Sequence, residues 1–201
     1  MGNRRVSWAA ILTVVTVVSI SLVNWWGVSA QTKEPPVMVG IPPELVADYV
    51  HDVIQADRTA YTIHVVERMQ VMGVVVASEN WRERPTLPLP AQLLLEAART
   101  VGEKPGSIRY RLISLWPIGP KNGPANDFER RGLEQVQQTP ERPYTGIAEK
   151  TTGRYFEAIY ADRAVTQACI GCHNAHTDSP RRDFKRGDVM GGIIISVPLG
   201  K

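Results

Sequence analysis

The chain has 201 residues, 43% of them hydrophobic and 21% charged, with a formal net charge of +3. These proportions are ordinary for a globular protein and exclude a low-complexity or disordered polymer. The small net charge is also weak support for a nucleic-acid partner, which would be argued from a broad basic face.

From the N-terminus, Arg4 and Arg5 precede an uncharged stretch from Val6 to Thr32, whose apolar part, Trp8 to Val23, is followed by Trp25 and Trp26. Basic residues before an apolar run and tryptophans after it fit a single membrane-spanning helix, oriented N-in and C-out. Val28-Ser29-Ala30 also offers small residues at a cleavage site, so a signal peptide stays open. Either reading exports the rest of the chain, which makes nucleic acid improbable as a partner. Residues 1–32 are read as the anchor or signal, and 33–43 (KEPPVMVGIPP) as a proline-broken linker. About 169 residues follow the first 32, enough for one domain with a real core.

Apolar residues recurring at three and four predict a helix of about 30 residues from Glu44, through Leu45, Tyr49, Val53 and Ile54 to Tyr61, Val65, Met69 and Met72. Leu87-Pro88-Leu89-Pro90 breaks the chain, and Ala91 to Val101 reads as a second helix. Ser107 to Trp116 alternates as a strand, Pro117 to Ala125 is loop, and Asn126 or Asp127 caps a helix to about Gln138. Tyr144–Ala148 and Arg154–Ala161 read as a hairpin, and Val189–Val197 as a last strand. Helices followed by strands with short helices between them predict an α+β domain around an antiparallel sheet.

The most informative run is Cys169-Ile170-Gly171-Cys172-His173, a C-x-x-C-H signature of c-type haem attachment. Two thiols three apart can add to the two vinyl groups of one haem, and the next imidazole then serves as proximal iron ligand. Zinc would have to recruit distant histidines, since Cys169 and Cys172 are the only cysteines. A redox dithiol would sit in a βαβ unit, which is not evident nearby. A structural disulfide is the remaining alternative.

The chain also resembles the Tll0287-like haem domain family, also called DUF3365. The residues carrying the resemblance are Ala56-Asp57-Arg58-Thr59, His64 to Met69, Leu89 to Gln92, Tyr110 to Ser114, Lys121 to Ala125, Phe128-Glu129, Ala168 to His176 and Asp188 to Gly192. The resemblance covers about residues 43 to 199, and 44–199 is taken as the domain. It implies a PAS-like fold with one covalent haem c, and no settled activity, because members occur alone and as sensor domains.

The sixth iron ligand is open. Both cysteines are consumed by attachment, which leaves imidazole and thioether. His64, amid Tyr61, Ile63, Val65 and Val66, is the candidate distal ligand, with a core histidine as the plain alternative. Met69 and Met72 are further candidates, and His51 is expected to be exposed on another helical face. His176 is expected beside a propionate or behind a ligand. Arg109, Arg111, Lys121 and Arg130 are candidate propionate partners or surface charges, with Arg111 and Lys121 preferred. Arg181, Arg182, Lys185 and Arg186 form either a solvated loop or a docking patch at the haem edge. Tyr110 and Trp116 pack on the ring or in the core.

The expected function is a bacterial inner-membrane cytochrome with its single haem in the periplasm, passing electrons to a periplasmic or membrane redox partner. A haem-based redox or gas sensor is the alternative. A small peroxidase, hinted at by Glu67, is the third reading.

Overall fold

A computed structural model describes residues 40–200. The segment read as anchor or signal, and residues 33–39 of the linker, lie outside the described residues. Among the described residues no helix is long and apolar enough to cross a membrane.

The first helix, α1 (Pro43–Tyr61), runs without interruption into a π-helical turn, Thr62–Glu67, and a last α-helical turn, α2 (Arg68–Val71). Pro43 fits the first helical position, where its missing N–H costs nothing. The length matches the periodicity, but the π turn breaks its phase. Thr62 donates its hydroxyl to the Arg58 carbonyl at 2.7 Å, a bond that competes with the regular helical ladder. Each extra residue in a π turn rotates the next stretch of helix about the axis. Thr62 and Val66 consequently turn inward, while Ile63 and His64 are exposed.

Helix α3 (Pro90–Gly102) begins where the prolines end, and Gln92 accepts a hydrogen bond from the Leu89 N–H at 3.1 Å. Strand β1 (Arg109–Ile113) is shorter than its alternation suggests. Ser107 folds back on the end of α3 through Val101 and Lys104. Ser114 leaves the ladder because its hydroxyl donates to Met190 O at 2.7 Å and accepts from Trp116 N at 3.0 Å. The proline-rich loop contains a 3-10 turn, Pro120–Asn122. Helix α4 (Asp127–Gln138) is capped by Asn126, whose side chain accepts from Glu129 N at 3.0 Å. Strands β2 (Tyr144–Lys150) and β3 (Gly153–Arg163) form the expected hairpin. Helix α5 (Gln167–Ala175) carries the C-x-x-C-H run, and β4 (Val189–Pro198) closes the sheet.

The sheet has four strands in the order β1-β4-β3-β2, all neighbours antiparallel. Period-two alternation divides two cores between its faces. Phe156, Ala158, Tyr160, Ile193, Ile195 and Leu112 pack against Ala47, Ile54 and Leu94 of α1 and α3. On the opposite face Ile113, Ile159 and Ile194 meet Leu133 and Val136 of α4. Each such aliphatic side chain is worth about 1.5–3 kcal/mol of burial. A third cluster, Ala164, Ile170, Phe184 and Met190, seats α5 at the end of the sheet. The architecture is therefore α+β with an antiparallel sheet, as the pattern of elements predicts.

Gly191 shows why the end of β4 is glycine-rich. A Cβ there would lie 2.4 Å from the Ile113 carbonyl oxygen, so any side chain would push β1 and β4 apart.

Candidate functional site

Helix α5 presents one face to a half-open cleft of about 1090 Å³, at the upper end of ligand-site volumes. Cys169, Cys172 and His173 fall at i, i+3 and i+4, which puts them on one side of the helix, and all three line the cleft. Ile170 on the other side anchors the helix in the third cluster. Asn174 fixes the following loop through a reciprocal pair, donating to Phe184 O at 2.9 Å and accepting from Phe184 N at 3.0 Å. The Phe184 ring in turn meets His173 edge-on, with centroids 6.0 Å apart.

The facing wall is the inner side of the π turn (Thr62, Val66, Glu67) and the start of α3 (Leu89 to Gln92). The base is made by the ends of β1 and β4, with Leu112, Ile113, Met190 and Gly191. Trp116 and Ile118 complete a lining in which apolar surface predominates.

Both thiols are free. Partial burial at the cleft mouth pushes the Cys172 thiol up, and the Glu79 carboxylate and Cys169 add to that. Burial pushes His173 below the usual imidazole range; Asp162 opposes it, while His176 and Arg58 reinforce it. His173 is therefore neutral near pH 7, the form that binds a metal. Among the described residues no group of three or more His, Cys, Asp or Glu side chains is arranged to hold a metal ion. β3 leads into α5, but its sheet neighbours are antiparallel, so the βαβ setting of a redox dithiol is missing.

The other expected site residues are dispersed. His64 is exposed and outside the cleft lining, on the side of the helix that the π turn directs outward. The premise that its ring is buried does not hold. Met72 is 60% exposed, and neither it nor Met69 lines the cleft. His51, expected at the surface, is instead stacked on Tyr160 with centroids 4.1 Å apart. His176 lies outside the lining, with Nε2 3.1 Å from Oε1 of the lining residue Glu79.

Arg111 is committed elsewhere. Its guanidinium donates to Glu129 Oε1 at 2.6 Å on the α4 face of the sheet, and Glu129 also accepts from Ala125 N at 2.7 Å. Lys121 and Arg130 are exposed and off the cleft, as is Arg109. Arg181 pairs with Asp183 at 2.7 Å and lies over Trp116 and Phe184. Arg182 donates to the Thr177 and Ser179 carbonyls. That basic run therefore braces its own loop, and none of its four cations lines the cleft. Tyr110 packs in the first core, whereas Trp116 and Glu67 do line the cleft.

Two charges at the site carry no local signal in the sequence. Arg58 of α1 donates Nη1 to Asp162 Oδ2 at 2.8 Å and Nη2 to Oδ1, and both residues line the cleft. Their side chains are 9% and 13% exposed. Arg58 stands within a run that carries the family resemblance. Asp162 follows the apolar part of β3 and reads in sequence as a strand-end charge. Among the described residues Met190 is the sole thioether in the lining, and in sequence it reads only as part of the last strand.

A family model described as Tll0287-like matches residues 42–198. The chain belongs to the Tll0287-like family. Among solved structures, the crystal structure of the cyanobacterial heme-protein Tll0287 aligns at 16% identity with a TM-score of 0.47. The alignment covers 80% of this chain and 99% of that one. No curated protein matches the chain.

Proposed function

We propose that this member of the Tll0287-like family binds one haem c in the cleft, attached through Cys169 and Cys172 and ligated by His173. The observation that carries the reading is that both thiols and a neutral imidazole project from one helical face into a single, mostly apolar cleft. The donor set has the chemistry the group needs. Two free thiols can become thioethers, and an uncharged imidazole can hold iron. The family's namesake being a haem protein supports the same reading.

When bound, haem supplies a one-electron iron couple. The chain's own residues supply the rest. Trp116, Leu112 and Val66 give the cleft an apolar lining, against which a bound haem would displace water and strengthen the charges beside it. The Arg58–Asp162 pair keeps a fixed charge distribution beside His173. Phe184 and Asn174 hold α5 so that His173 keeps its orientation.

Within that reading the protein is a membrane-anchored, periplasmic monohaem cytochrome in a PAS-like domain, passing electrons to a redox partner. The uncharged stretch Val6 to Thr32, apolar from Trp8 to Val23, and the export that c-type attachment requires support the location. A second reading draws on the lining: His173 is its one imidazole among the described residues. An iron site without a second histidine leaves the sixth position to the Met190 thioether or to an exchangeable ligand, and the latter would serve redox or gas sensing.

The test is expression with the haem maturation machinery, followed by mass spectrometry and visible spectra. The expected protein is coloured and heavier by one haem, and Cys169→Ser with Cys172→Ser loses the covalent mass. A colourless protein of unmodified mass ends the reading. Binding of carbon monoxide to the reduced form then divides sensing from plain electron transfer.

A further inference from the structure

Among the described residues three buried polar atoms have no hydrogen-bond partner: His51 Nε2, Gln55 Oε1 and Arg58 Nε. They are not scattered. Their spacing of i, i+4 and i+7 aligns them on one face of α1. That face lies against β3, where the His51 ring stacks nearly parallel on Tyr160 at 4.1 Å and Arg58 pairs with Asp162. Tyr160 and Asp162 are two apart and share one side of the strand. At the outer end the Tyr160 hydroxyl donates to Oδ1 of exposed Asp48 at 2.7 Å. At the inner end Arg58 and Asp162 line the cleft together with His173.

A polar row thus crosses an otherwise apolar seam flanked by Ala47, Val50 and Ile54. Buried polar atoms are almost always paired, and where protein groups do not pair them, internal water does. A helix-to-sheet seam with three aligned acceptors and donors to satisfy is a place for a short file of such water.

We propose that this seam admits protons from the surface at Asp48, and that His51 takes up a proton when a haem in the cleft is reduced. The inference rests on the haem reading above. Were a haem held there by Cys169, Cys172 and His173, an electron from an external donor would reduce its iron(III) to iron(II) and lower the positive charge in the cleft by one. A proton from solvent then forms an N–H bond at His51 Nε2, turning the imidazole into imidazolium, and leaves again on reoxidation. Nε2 is the ring nitrogen without a partner among the described residues, while Nδ1 lies 3.6 Å from Asp52 Oδ1.

The surroundings suit this role. Asp48 and Asp52 face His51 from α1, and Tyr160 and Asp162 face it from β3, with Arg58 balancing Asp162. β4 contributes no titratable side chain within Val189–Pro198. On α3, Glu96 is occupied by Arg82 and Arg99. Burial holds His51 below the usual imidazole range, while Asp52, Asp48 and Asp162 pull the other way. The ring is neutral at pH 7, and a loss of positive charge nearby favours its protonation.

The experiment is a ring-resonance titration of His51 by nuclear magnetic resonance in the intact protein, ferric and ferrous, beside potentiometry from pH 5 to 8. His51 is expected to titrate at higher pH in the ferrous form. The potential is expected to fall as pH rises through that range, and His51→Gln to flatten this slope. An experimental crystal structure should place ordered water against His51 Nε2 and Gln55 Oε1. A His51 titration identical in both oxidation states, in a protein whose spectrum shows haem, overturns proton linkage and leaves the haem reading intact. A dry seam overturns proton entry along it. A spectrum without haem overturns both readings.

Discussion

Replacing Asp162 by asparagine tests whether the Arg58–Asp162 pair is held as the structure has it. The two side chains are 9% and 13% exposed, and Arg58 Nε has no partner among the described residues. A guanidinium cannot shed its proton, so the substitution leaves a charge in the seam without its counterion. Removing one partner of a buried pair costs about 3–5 kcal/mol. Asparagine keeps one carbonyl acceptor for the guanidinium, which places the expected loss near the lower end. Against a total stability of about 5–15 kcal/mol this is a large fraction. At about 2–4 °C per kcal/mol for a domain of this length, the melting temperature should drop by roughly 6–12 °C. Urea unfolding followed by circular dichroism measures the loss directly. The double variant Arg58→Met with Asp162→Asn removes both charges and should lose much less than the sum of the single changes. Additive losses, or a single-variant loss within the range of about 0–1 kcal/mol seen for surface pairs, would refute the reasoning.

Gly191→Ala should destabilise by about 1–3 kcal/mol through overpacking, since its Cβ would meet Ile113 O at 2.4 Å, whereas Gly171→Ala, with nothing within 4 Å, should not show that clash. Thermal melts of the two variants side by side settle it, and equal losses would show that β1 and β4 have room. His64→Ala should leave the visible and electron paramagnetic spectra unchanged, because the ring is exposed outside the cleft; a change of spin state would place His64 on the iron. Burial lowers His51 from 6.5, so the unfolded chain binds that proton first as pH falls. The stabilisation is present above pH 6.5 and lost as pH drops toward the folded-state value. Urea midpoints between pH 7.5 and 5 should fall less steeply in His51→Gln, and parallel profiles would contradict it.

Legibility in the sequence differs by element. The long first helix, the hairpin, α4 with its Asn126 cap and the last strand all rest on local signals: apolar spacing, a turn at Gly153, a capping side chain. Where sequence and structure part, a distant contact or a change of helical phase intervenes. β1 ends early because Ser114 bonds Met190 O, 76 positions away. His64 faces outward because a π turn shifts the phase of the helix, and nothing in the pattern of apolar residues marks that turn. Arg111, attractive as a propionate partner, is claimed by Glu129 across the sheet face.

The amino-acid order alone determined that two thiols and an imidazole stand within five residues, because that spacing is a property of a short contiguous run. It also determined the helix and strand inventory, since side-chain periodicity acts over a few residues. Which groups would share a cleft was decided by the fold. Arg58 and Asp162 are 104 positions apart, and they meet only when α1 lies down on β3. The burial that lowers His51 and His173 likewise exists only once water has been excluded by packing.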